Sequence, residues 1–128
     1  MACFLVPAAE AVATSIAKIE ADKKETAKKT EQETKIPFST KLSWLRNMLW
    51  GGAVLLAFEH VWHGEVVPYF PFLTAASNPA DKAEMLHEMA TVGVAMAVLV
   101  TVVWFVATFV ADATVRLSAV RSKERDAA

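Results

Sequence analysis

Residues 89–111 read MATVGVAMAVLVTVVWFVATFVA, 23 positions without a charged side chain. About 20 apolar residues cross the ~30 Å hydrocarbon core of a bilayer, so the spacing predicts a membrane-spanning helix over residues 85–111. Working backwards from it, residues 42–67 predict a second crossing. Trp44 and Trp50 suit a membrane interface, and Met48 to Phe58 is an unbroken apolar run. This first span qualifies only where Glu59, His60 and His63 are tolerated close to its far end. The fold class expected is therefore all-α, a two-helix transmembrane hairpin over residues 42–112. The competing reading is a buried helix pair of a soluble complex.

The flanks are of another kind. Over residues 1–20, Leu5, Ala8, Val12, Ile16 and Ile19 recur every three or four positions, one apolar stripe on an amphipathic helix. It is too short and too weakly apolar to cross a bilayer. An interfacial helix, a partner-binding helix and a frayed tail are the readings open to it. Residues 21–41 form a charged connector, and its 21–36 stretch holds one large aliphatic residue. Residues 113–128 are a basic tail. Met1 to Pro7 carries no basic segment and no long apolar run, so no signal peptide is expected there.

Charge assigns the sides. Lys18, Lys23, Lys24, Lys28, Lys29, Lys35, Lys41 and Arg46 precede the first span, Arg116, Arg121, Lys123 and Arg125 follow the second, and the loop between them holds only Lys82. Basic residues stay cytoplasmic, which predicts cytoplasmic termini and an outward-facing loop. In that loop Val66 to Leu73, with Tyr69, Phe70 and Phe72, suits the outer interface. Asn78, Pro79 and Asp81 supply turn and N-cap chemistry for the second helix. Net charge is −1 and no nucleic-acid motif appears. The single Cys3 rules out an intramolecular disulfide framework and reads as inert.

All three histidines sit where the two spans approach the loop, in Glu59-His60-Val61-Trp62-His63-Gly64-Glu65 and Glu84-Met85-Leu86-His87-Glu88. In an antiparallel hairpin one register levels His60 with His87, His63 with Glu84, and Glu59 with Glu88. Glu59 and His63 share a face with Gly52, whereas His60 lies about 100° from Glu59 and serves a different neighbour. Three chemistries compete for this cluster. Glu–His pairing would satisfy the side chains and hold the hairpin in register. A metal site, iron or zinc, would draw on Glu59, His63, Glu84, His87 and Glu88, with Glu84-x-x-His87 matching the i, i+3 pair of di-iron bundles. Haem ligation or a proton relay would use His60, His63 and His87; histidine also titrates near physiological pH, so a pH-responsive element is open.

On the second helix Ala90, Gly93, Ala97 and Thr101 make a stripe of small residues. Gly93-x-x-x-Ala97 supports close helix association, and with it a homo-oligomer or docking to a larger membrane complex. The strings Asn47-Met48-Leu49-Trp50-Gly51-Gly52, Glu59 to Pro68 and Glu84 to Met89 resemble an uncharacterised family of small membrane proteins from anaerobic Gram-positive bacteria. That resemblance implies a bacterial plasma membrane and no activity. The expectation is a small non-enzymatic membrane protein that self-associates or acts as an accessory subunit, with a metal- or haem-binding redox subunit as the alternative.

Overall fold

A computed structural model of the chain describes residues 2–27 and 35–128. Residues 28–34 of the connector, with Lys28 and Lys29, lie outside the described residues. The fold is all-helical. Helix α1 covers Leu5–Ala27 and α2 covers Phe38–Trp62. A short 3-10 turn, Thr74–Ser77, leads into α3 (Pro79–Glu88), a π-helical turn over Met89–Gly93, and α4 (Val94–Asp126). The last three join into one 48-residue helix from Pro79 to Asp126. The Asn78 side chain accepts from Ala80 N–H, and Pro79 occupies the first turn, so this helix starts where its turn chemistry puts it.

Composition and burial part company in this long helix. Its most apolar window has a mean hydropathy of 2.5, yet only 17% of that window is buried. Among the described residues it is the one helix long and apolar enough to cross a membrane. Helix α2 falls short because Arg46 and Glu59 bracket its apolar stretch. Met48 to Phe58 rises about 17 Å at 1.5 Å per residue.

The α1 helix does not stand apart from α2 and the long helix. It lies antiparallel along α2, with Cys3 beside His60 at one end and Glu25 beside Ser39 at the other. It runs parallel to α4, where Val6 meets Gly93 and Glu10 accepts a hydrogen bond from the Thr101 hydroxyl at 2.6 Å. Helices α2 and α4 run antiparallel, joined by a 2.6 Å Lys41–Asp112 ion pair and by the Trp104 indole N–H donating to the Lys41 carbonyl at 2.7 Å. Ala11 of α1, Leu45 and Leu49 of α2 and Trp104 of α4 meet at the centre. At the loop end Ala2, Ala75 and Met85 form a second small cluster. The start of the chain therefore sits against the loop, and the C-terminal tail leaves from the opposite end.

Two sequence patterns acquire partners in this arrangement. The small stripe of the second helix is occupied from within the chain: Gly93 and Ala97 are buried, and α1 rests on them. A Cβ at Gly93 would stand 2.9 Å from Val6 Cγ2 and 3.0 Å from the Cys3 carbonyl, so only glycine admits α1 this closely. The apolar stripe of α1 behaves in the opposite way. Leu5, Val12, Ile16 and Ile19 point out of the fold, while Pro7, Ala11 and Thr14 face in.

The charged end is closed by α1 as well. Helix α2 begins after Pro37 without a side-chain cap of its own. Glu25 supplies one from outside, accepting from Ser39 N–H at 3.1 Å and from the Ser39 hydroxyl at 2.6 Å. These donors, the hydroxyl first, hold the Glu25 carboxyl below its usual range. Asp22 is likewise lowered, chiefly by its hydrogen bond from Lys18.

Candidate functional site

The polar groups at the loop end gather around His60, in the last turn of α2. Its side chain is buried, at 7% relative exposure. The Nδ1–H donates to the Leu56 carbonyl one turn earlier, at 2.6 Å. That bond selects the tautomer with a lone pair on Nε2. The Cys3 thiol, 3.3 Å away, donates to this nitrogen. The Phe4 ring meets the imidazole edge-on at a centroid distance of 5.4 Å. Cys3 and Phe4 thus seal His60 beneath the start of α1.

Glu65 joins through the way α2 ends. Gly64 adopts a φ of +73°, a left-handed conformation that glycine accepts without penalty. Glu65 N–H then donates back to the His60 carbonyl at 2.9 Å, and Gly64 N–H to the Val61 carbonyl at 3.0 Å. This pair of bonds is a Schellman closure. It turns the chain over the helix end and sets Glu65 Oε2 3.7 Å from His60 Nε2.

Beside this group opens a pocket of about 380 Å³. Leu56, Val92 and Met96 form its apolar side; Cys3, Glu59, His60, His63, Glu65 and Glu88 bring the polar groups. Four of the residues singled out from sequence, Glu59, His60, His63 and Glu88, therefore share one pocket. Glu84 and His87 are exposed on α3 and do not line it. Among the described residues no three His, Cys, Asp or Glu side chains converge as a metal-ligand set. The carboxylates and imidazoles ring the pocket instead of meeting at one point.

The different neighbour expected for His60 is Cys3. Sequence reasoning missed Cys3 because a lone thiol near the chain start carries no pattern. It also passed over Glu65, although Gly64 directly after a helical run is a readable stop signal that folds the next residue back.

The chemistry open to the group follows from which atoms meet. A thiol beside an imidazole is the beginning of a nucleophile–base pair, in which a third group holds the far nitrogen of the ring. Here Cys3 and Glu65 both approach Nε2, and a backbone carbonyl occupies Nδ1. The carboxylate lies near the nitrogen that the thiol already occupies, at 3.7 Å, and does not orient the ring from behind. The arrangement satisfies buried polar groups and clasps the start of α1 to the end of α2. Set beside known proteins, the chain matches no protein family, no curated protein and no solved structure.

Proposed function

We propose that this chain is a small non-enzymatic integral membrane protein that self-associates or serves as an accessory subunit of a larger membrane complex. One observation carries the reading: the most apolar helix of the fold leaves most of its surface outside the fold. The core helix of a soluble domain would bury such a window, because exposed apolar area costs roughly 25 cal/mol per Å² in water. In lipid the same surface costs nothing.

In this reading α2 and α4 both cross. Two polar groups of α2 have protein partners that ease their placement in this reading, Lys41 on Asp112 and His60 on Cys3. The end bearing Lys18, Lys41, Arg116 and Arg121 faces the cytoplasm, in keeping with the charge rule. The loop lies at the outer interface, where Tyr69, Phe70 and Phe72 are exposed, Phe70 at 86%. The clasp geometry at His60 supports a structural role for the cluster.

Alkaline carbonate washing of membranes from expressing cells tests the proposal. The chain is expected to stay in the pellet and to dissolve only with detergent, there purifying as an oligomer or with a stoichiometric partner. Recovery in the aqueous wash would overturn the membrane reading, and a partner-free monomer in mild detergent would overturn the assembly reading.

A further inference from the structure

We propose that α1 is itself embedded in the bilayer, with lipid acyl chains covering its outward face from Leu5 to Ile19; this rests on the membrane reading of α2 and α4. The face is turned inside out by the standards of water. On α1 the large side chains Leu5, Val12, Ile16 and Ile19 are exposed, while Pro7, Ala11 and Thr14 are buried against the rest of the fold. A helix packing in water buries its large apolar residues and leaves its small ones outside. Helices in lipid do the reverse, because small residues permit close approach and large ones cost nothing outside.

The polar groups of this segment obey the same rule. Glu10 is turned inward to the Thr101 hydroxyl, and the Thr14 and Ser15 hydroxyls donate to the carbonyls one turn back, at 2.8 and 2.7 Å. No group is left reaching for water until Lys18, which pairs with Asp22, and then Glu20 and Lys23.

Height identifies lipid as the occupant. Val6 lies beside Gly93 and Glu10 beside Thr101, so Leu5 to Ile19 runs alongside the uncharged stretch of α4. The stripe covers about 21 Å at 1.5 Å per residue. Over the same stretch α4 also exposes Val98, Val102, Phe105 and Phe109. It ends where the charged end of the bundle begins, beside Glu25 and Ser39. A hydrocarbon layer around α4 at this height also surrounds α1. Residues 1–20 read as too short to cross on their own, but α1 runs on to Ala27 over 23 residues; in this proposal three helices cross, with the chain's start, packed on the loop, outside and its basic tail inside. Cytoplasmic placement of both termini does not survive this topology.

A nitroxide at position 12 (Val12→Cys in a Cys3→Ser chain), in phosphatidylcholine–phosphatidylglycerol vesicles, tests the proposal through collisions with oxygen and a water-soluble nickel chelate. Val102→Cys on α4 reports lipid, and Ser122→Cys on the tail reports water. The expected result is a gain of oxygen collisions and a loss of nickel collisions at position 12 relative to position 122, matching position 102. Nickel access at position 12 with position 102 dry overturns the proposal and leaves the membrane reading standing; nickel access at both sinks that reading too. Loss of both collisions at position 12 means that a protein surface, including a second copy, covers α1, which also overturns it. A diazirine side chain at Ile16 in the chain retaining Cys3 guards against a disturbed clasp: lipid adducts support the proposal, and protein-only adducts overturn it.

Discussion

Helices α2 and α4 divide the usual link between greasiness and burial. Helix α2, with the shorter apolar run, buries Leu42, Leu45, Leu49 and Ala53, with Leu49 wholly enclosed. Helix α4, with the longer apolar run, buries Ala97, Trp104 and Thr108 and holds Phe109 out at 77%. In water the ranking would be reversed. The contrast teaches that packing and solvation are served by different residues here. Tight contact is made by small or closely fitted side chains, and, Trp104 apart, the largest apolar side chains of α1 and α4 face outward.

The sharpest way to break that contrast is to truncate one residue from each helix. Leu49→Ala is expected to cost about 2–4 kcal/mol, since it opens a cavity among Ala11, Leu45 and Trp104. Phe109→Ala should change stability little. Unfolding of both variants in detergent, followed by circular dichroism, checks the pair; equal losses would erase the distinction.

A smaller effect is expected where α1 meets the long helix. Gly93→Val places carbon where Val6 and the Cys3 carbonyl already stand, and overpacking of this kind costs about 1–3 kcal/mol. The visible sign is faster labelling of the Cys3 thiol by a maleimide, because displacing α1 uncovers it. Unchanged labelling would mean that α1 does not depend on this contact.

The clasp itself is weaker. Cys3→Ala removes the donor to His60 Nε2 and should cost about 1 kcal/mol. It should also shift the His60 ring resonances in an NMR spectrum, while those of the exposed His87 stay in place.

The smallest effect belongs to acid. The folded Glu25 carboxyl lies below its usual range, so the stability it adds is present at neutral pH and is lost as the pH falls through the carboxylate region. Glu25→Gln should flatten that part of the pH–stability curve and leave the alkaline side alone. An identical acid limb in the variant would show that the Ser39 cap carries no such linkage.

Much of this was legible in the residues. The uncharged run 89–111, the Asn78-Pro79 start and the small stripe at Gly93 and Ala97 all lie where their patterns direct. What the pattern of small residues could not disclose was its occupant, since glycine and alanine invite any close helix and α1 lay far off in sequence. The Leu5–Ile19 stripe misleads for a related reason. Apolar periodicity marks a face, and only the surrounding medium decides whether that face turns in or out. At the histidine end, matching heights along α2 and the second helix brought Glu59 and Glu88 to one pocket. They gave no hint that His60 would be claimed by a thiol from the other end of the alphabet of contacts, 57 positions away.

The wide turn at Met89–Gly93 acts as a phase shifter. Met85 and Gly93 are both buried though eight positions apart, a separation that in uniform α-helix leaves them about 80° out of line. One surplus residue absorbs that angle, so a single rod can address the loop with its lower part and α1 with its upper part. Deleting Thr91, whose side chain is exposed, would leave seven positions of regular winding between Met85 and Gly93, about 20° short of two full turns, and so keep both addresses in line without the wide turn.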